Sequence, residues 1–423
     1  MKAFSSIARA AFMLLAASLL ISCSQREIRE KDKYMWVAVD ANFERLSDKD
    51  SIAWYLDKIK ETGFNNVVVD VRGVTGDVRY KSAIFEQMKS WEGYTFEGDW
   101  DYLQYMIDEI HSRGMKVTVA ATIFPLGSPY HKEGPVYRNP ELKKLTCVEY
   151  TPQGMIKIED DPGKVAAFMN PLLPQAQELA MSCIRELFEN YDFDGFCLDY
   201  CRFPDWQSDF SDATRALFEK ELGHEVENWP EDVFSYNSDG AMVPGKLYRQ
   251  WWKFRSQGIR DFIAKVKEYK DSVKPEVRLE YWAASWLHAL YGQGQNWAAP
   301  GAPYYLEYKD SWASEDYGQT GFADQLDVFI SGTYLETVRG LDNNESIEYG
   351  LARSWRDTDG ACSVVGSYAV YNGLDYEDAT YVCMMQSDGF MAFDLCYFPS
   401  NPQLWDDIKR GIDRAEKELN IKK

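Results

Sequence analysis

Eight short runs of β-branched and aromatic residues recur along this chain, and helical spacing separates most of them. The runs are 35–40 (MWVAVD), 66–72 (NVVVDVR), 116–124 (KVTVAATIF), 195–199 (GFCLD), 277–283 (VRLEYWA), 327–332 (DVFISG), 363–368 and 389–393. Amphipathic patterns at 49–62, 100–113, 171–191, 251–271, 347–355 and 403–419 fall between or after them, with a shorter one at 213–221. Gly63 and Gly114 close the first two, as glycine commonly ends a helix. Strand and helix in strict alternation demand a parallel sheet whose faces are covered by helices. Two architectures meet that demand, a closed barrel and an open doubly wound sheet. No glycine-rich phosphate loop follows any run, and acids stand at strand ends around the whole set. An open sheet gathers its site at one switch point instead. The expected fold is therefore α/β, a (β/α)8 TIM-like barrel with long loops on its C-terminal face.

Three long insertions, near 125–163, 205–248 and 286–320, follow the third, fourth and fifth strands. They all fall on one face of such a barrel, which suits a groove for an extended ligand. The barrel is expected to occupy 34–423 as one domain. Ahead of it, Lys2 and Arg9 precede an apolar stretch at 10–21 that is too short to span a bilayer comfortably. Leu20-Ile21-Ser22-Cys23 has the form of a lipobox, so 1–22 reads as a lipoprotein signal peptide and Cys23 as the lipidated residue. Residues 23–33 are polar and charged, as a tether should be. The expectation is a bacterial envelope protein held to a membrane, in all expectation the outer one, through a lipid anchor.

A formal charge of −21 argues against nucleic acid or an anionic surface as the main partner. The 14 Trp and 27 Tyr exceed what a plain core needs and suit sugar faces, although aromatics also dominate many cores. Beyond Cys23, seven cysteines (147, 183, 197, 201, 362, 383 and 396) are odd in number and irregular in spacing, and read as buried thiols. His111, His131, His224 and His288 form no metal-like cluster, and neither a metal nor a cofactor is expected.

The chemistry-bearing candidates are acids at or just past strand ends. Asp199 closes the apolar run Phe196-Cys197-Leu198, where a carboxylate is costly unless solvated or paired. Barrels keep their catalytic groups at that end of their strands. Asp40, Asp70, Glu280, Asp327, Glu336 and Asp394 are the other candidates. Asp40 and Asp70 also suit helix capping or pairing with Arg72, and Asp327 precedes its strand and so belongs to the stability face. Glu280 lies inside the fifth strand. Pointing inward it can act as an acid or base; pointing outward it is a salt-bridge partner, and the sequence leaves both open. Glycoside hydrolysis needs two carboxyl groups, one protonated and one ionised, and no metal. On that footing Asp199 is assigned as nucleophile or base and Glu280 as acid. Asp70, Arg72, Asn170, Arg202, Trp286, Tyr334, Glu336 and Asp394 are expected around the substrate.

The segment 194–204, DGFCLDYCRFP, resembles the DGIHLDYIRYP element of the family-10-like glycosyl hydrolases. Val68-Val69-Asp70-Val71-Arg72, with Gly76-Asp77 and Tyr80, resembles that group's FQVR…GDALY element, and Phe168-Met169-Asn170-Pro171 its LNP segment. The resemblance implies a bacterial envelope protein with a β/α barrel that hydrolyses a polysaccharide or peptidoglycan glycan strands. It carries Asp199 as a catalytic residue, with Asp70, Arg72, Asn170 and Arg202 near it. Cys197 replaces the group's histidine, and Glu280 matches none of its motifs. The rival readings are a glycan-binding lipoprotein that has lost catalysis and a metal-dependent deacetylase.

Overall fold

In a computed structural model that describes residues 30–421, the eight predicted runs form one closed parallel barrel. Its strands are β1 (Asp32–Val37), β2 (Asn66–Asp70), β3 (Lys116–Thr122), β4 (Gly195–Asp199), β5 (Arg278–Ala284), β6 (Val328–Gly332), β7 (Ser363–Ala369) and β8 (Gly389–Phe393). Each pairs with its sequence neighbours, and β1 closes the ring by pairing with β8 from Asp32↔Gly389 onward. The proposed leader, its Cys23 and most of the tether lie outside the described residues. No described helix is long and apolar enough to cross a membrane.

The α-helices longer than one turn are α1 (Lys49–Thr62), α2 (Tyr102–Ser112), α3 (Pro174–Asn190), α4 (Asp212–Leu222), α5 (Tyr248–Val273), α6 (Ile347–Thr358), α7 (Tyr376–Gln386) and α8 (Gln403–Leu419). Local chemistry fixes their ends. Asp48 accepts a hydrogen bond from Ser51 N at the start of α1, and Gly63, at φ +109°, ends it in a left-handed conformation. Lys33 on β1 donates to Glu416 of α8 at 2.8 Å, which ties the last helix to the first strand. The long insertions are themselves ordered. One holds the hairpin Val148–Thr151 with Gly154–Lys157, and the next holds Phe234–Tyr236 with Met242–Pro244.

Side chains alternate in and out along each strand, so the barrel interior fills in layers drawn from alternate strands. The lowest layer is polar: Tyr34 on β1, Thr118 on β3 and Glu280 on β5, joined by hydrogen bonds. Above it lie Val68, Cys197, Ile330 and Met391, then Trp36, Ala120, Trp282 and Val365, all in one apolar cluster. The open, C-terminal end is topped by Asp70, Asp199 and Phe393. The barrel is thus plugged by apolar residues between a polar floor and an acidic mouth. Six cysteines are buried free thiols, and Cys396 is partly exposed.

Candidate active site at the barrel mouth

Asp199 is the last residue of β4 and is partly exposed at the mouth. The chain turns sharply after it. Tyr200 takes φ +47°, an unusual conformation for a bulky residue, and its N–H donates to Asp199 Oδ1 at 2.8 Å. Arg202 stacks on the Tyr200 ring at 4.8 Å and donates to the carbonyls of Phe203 and Pro204 at 2.9 and 2.7 Å. Burial pushes the Asp199 carboxyl up to about 6, with the Tyr200 N–H and the Arg202 charge pulling the other way. Asp194, at the opposite end of the strand, serves the scaffold. Its Oδ2 accepts from Val117 N at 2.8 Å and lies 2.9 Å from His111 Nε2.

Asp70 ends β2 and is 7% exposed. Its two oxygens accept from Val39 N and Arg72 N, each at 3.2 Å. Burial raises its pKa well above the ordinary carboxylate range, and the neighbouring charges of Asp40 and Asp199 add to the rise. Asp40, on the turn after β1, is raised to about 7, first by burial and then by Asp77 and Glu92. A Cβ at Gly73 would stand 2.7 and 2.9 Å from the two Asp40 oxygens, so only glycine leaves room for that carboxyl. The mouth therefore holds three raised acids, Asp199 at about 6, Asp40 at about 7 and Asp70 well above its ordinary range.

An aromatic wall completes the mouth. Tyr334, on the loop after β6, packs between Trp282 and Phe393, with ring centroids 5.4 Å from each. Asp40 Oδ1, Trp282 Nε1 and Tyr334 OH are buried atoms with no hydrogen-bond partner among the described residues. Unpartnered buried polar atoms are costly and rare in folded proteins. Trp286, on the loop after β5, is half-buried, and Glu336, beyond Tyr334, is exposed.

Three of the expected site residues make their contacts within the scaffold. Glu280 points into the barrel, but in its floor. It accepts from Tyr34 OH at 3.1 Å and pairs with Arg278 at 3.1 Å. A Cβ on Gly195 would stand 2.7 Å from its Oε1, which explains the glycine of the DG pair. Burial lifts its pKa to about 7, yet the layers of Cys197 and Trp282 separate it from Asp199. Arg72 faces the loop backbone. Its guanidinium donates to the carbonyls of Gly76, Thr122, Ile123 and Pro125, clamping the loops after β2 and β3. Asn170 is fully buried and binds Asp209 and Thr214 at 2.8 and 2.7 Å, so it organises the loop before α4. Asp394 is intermediate in role. It caps the turn after β8 through Cys396 N at 2.6 Å, and its charge still reaches Tyr334.

Asp40 and Trp282 were the residues that strand-end reasoning undervalued. The signal for Trp282 was present: it is two residues past Glu280, so both share the inner face. Among the described residues no group of three His, Cys, Asp or Glu is placed to hold a metal ion.

Comparison with known proteins agrees with this architecture. A curated relative, an S-layer-related protein from Niallia circulans, is 29% identical over 385 residues, covering 86% of this chain. The chain spans only 23% of that relative's length. The glycoside hydrolase domain of PgaB (BpsB) from Bordetella bronchiseptica shares the fold at a TM-score of 0.58 and 11% identity, over 90% of this chain and 98% of that domain. The catalytic domain of β-amylase from Paenibacillus polymyxa does so at 0.54 and 12%, over 92% and 98%. These likenesses establish the β/α-barrel fold. A family model matches residues 31–312, which hold β1 to β5 and both acidic motifs, and the chain accordingly belongs to the glycosyl hydrolase-like 10 family.

Proposed function

We propose that this protein hydrolyses glycosidic bonds at the barrel mouth, with Asp199 as the ionised carboxylate and Asp70, backed by Asp40, as the proton donor. The observation that carries the reading is the split in acidity. Asp199 is held at about 6, while Asp70 is pushed well above its ordinary range by burial and by its acidic neighbours. Pairs of carboxyls whose environments drive them apart in this way are how glycosidases keep one acid and one base at neutral pH. β3 alone lies between β2 and β4, so the two backbones stand roughly 10 Å apart at ordinary strand spacing. Both side chains turn inward, which brings the carboxyls into the range of about 5 to 10 Å that glycoside hydrolysis uses.

In this mechanism Asp199 attacks the anomeric carbon or deprotonates the water that does, and Asp70 protonates the leaving oxygen. Tyr334 OH and Trp282 Nε1 donate to sugar hydroxyls, and the rings of Trp282, Tyr334 and Phe393 cover a sugar face. The substrate is a polysaccharide or a peptidoglycan glycan. The S-layer-related name of the relative and the leader expected at 1–22 support a place at the bacterial cell envelope, anchored through Cys23.

The test is turnover across a panel of envelope polysaccharides by wild type, Asp199→Asn and Asp70→Asn. Asp199→Asn should lose at least about a thousandfold in kcat, as the removal of a catalytic carboxylate does. In wild type, kcat/KM should rise through about pH 6 as Asp199 ionises and fall again as Asp70 loses its proton. Binding that survives Asp199→Asn, with no turnover by any variant, would instead identify a sugar-binding protein.

A further inference from the structure

Exposed aromatic rings group at two separate places on the barrel rim. On one side, Tyr371 follows β7 and is 52% exposed; it packs on Tyr397, in the turn after β8, with ring centroids 5.1 Å apart. On the other, Trp91 in the loop after β2 and Tyr130 in the loop after β3 both pack on His131, at 5.4 and 4.9 Å. Tyr130 is 75% exposed. Ring faces left to water contribute nothing to the core, and grouped exposed apolar side chains beside a cleft mark a binding surface.

Each group lies within reach of the acidic mouth: Glu92, next to Trp91, acts on the charge of Asp40, and Tyr371 and Tyr397 share their field with the acids of the rim. The charge field at Tyr334 OH includes Asp199, Tyr371 and Asp394, and that at Tyr397 includes Asp394 and Tyr371. The order of strands around the barrel supplies the direction. Between β7/β8 and β2/β3 lies β1 on the short way round, and β4 to β6 on the long way. A chain laid from one aromatic group to the other passes with Asp40 and Asp70 on one flank and Asp199 on the other. The cleavage point then falls between the two groups.

We propose that Tyr371–Tyr397 and Trp91–His131–Tyr130 are the two ends of an extended groove, and that the substrate is a long glycan bound by several sugar rings and cut within its chain. This inference rests on the reading of the mouth as a glycan site and adds the length of the ligand and the residues that measure it. A short sugar reaches the acids alone, whereas a long one reaches both aromatic ends.

The experiment measures binding in the Asp199→Asn background, by calorimetry, for chito- and cello-oligosaccharides from disaccharide to hexasaccharide. Affinity should rise with length. Tyr371→Ala with Tyr397→Ala, and separately Tyr130→Ala, should each weaken hexasaccharide binding by about tenfold, the effect of losing one buried ring face. Disaccharide binding should be unchanged in both. Val273→Ala, an exposed apolar residue at the end of α5 on the face of the barrel opposite the mouth, should alter neither. All four positions are on the surface, and thermal melts verify that the variants fold. Equal losses for short and long sugars, no losses, or no binding at any length would overturn the proposal. Length-dependent binding with no hydrolysis by the wild type would refute the catalytic reading and leave the groove standing.

Discussion

Replacing Asp199 with Asn should stabilise the protein at neutral pH and not at acidic pH, because the carboxylate is held where it is unfavourable. Its pKa rises from 3.8 in an exposed chain to about 6 in the fold, and burial is the leading cause. A raised carboxyl binds its proton more tightly when folded. Stability from this group is therefore present below about pH 4 and is lost as pH rises through about 6. Two pH units correspond to roughly 3 kcal/mol at most. Partial exposure to water at the mouth reduces this, so about 1 to 2 kcal/mol is expected. Unfolding some 390 residues carries an entropy near 0.8 kcal/mol/K, so each kcal/mol moves Tm by only about 1 °C. Urea denaturation at fixed temperature is the more sensitive assay, run on both proteins at pH 4, 5, 6 and 7. The other raised acids titrate in both proteins and largely cancel in the difference. Asn should match wild type at pH 4 and exceed it by about 1 to 2 kcal/mol at pH 7. A difference that is flat with pH, or that shrinks as pH rises, would refute the claim that the fold holds this acid against its solvation.

Glu280→Gln should keep the wild-type kcat and pH profile on any glycan that is turned over, since Glu280 sits in the barrel floor beside Tyr34 and Arg278. A hundredfold loss in a well-folded Gln variant would restore it as a catalytic group. Tyr334→Phe removes a buried hydroxyl that has no partner, so the fold should gain up to about 1 kcal/mol, measured by urea denaturation, while ligand affinity falls. A loss of stability would mean the hydroxyl is already satisfied. Arg72→Lys should cost about 2 to 4 kcal/mol, because one ammonium cannot reach the four carbonyls that the planar guanidinium clamps. Its KM should stay near wild type at temperatures where it is folded, as befits a buried guanidinium turned to the loop carbonyls.

The fold was legible because period and punctuation agreed at each element. β4, β8, α1 and α8 occupy the residues their patterns predicted, and the remaining barrel strands differ only by a few residues at their ends. Apolar alternation, N-capping acids such as Asp48 and stop glycines such as Gly63 are local signals, readable from neighbours in sequence. Asp199 was legible for the same reason, as an acid at the end of an apolar strand. The partners of Arg72 and Asn170 were not. Arg72 binds carbonyls some 50 positions away and Asn170 binds Asp209, so only the closed structure shows where their donors go.

Glu280 shows why strand position alone misleads about a second carboxylate. In a barrel every inward residue faces the same axis, so an inward acid and a catalytic acid look alike in one strand. Height along the axis separates them, and height depends on register between strands. Glu280 pairs in register with Cys197, two residues before Asp199, and that offset sets it beneath the apolar plug. Asp70 pairs with Ala120, and Asp199 with Thr122 two positions further along β3, a stagger of the kind that a tilted barrel imposes on strands sharing one layer. The residue types favour Glu280 and Asp70 equally. The stagger of the strands is what brings Asp70, and with it Asp40, to the level of Asp199.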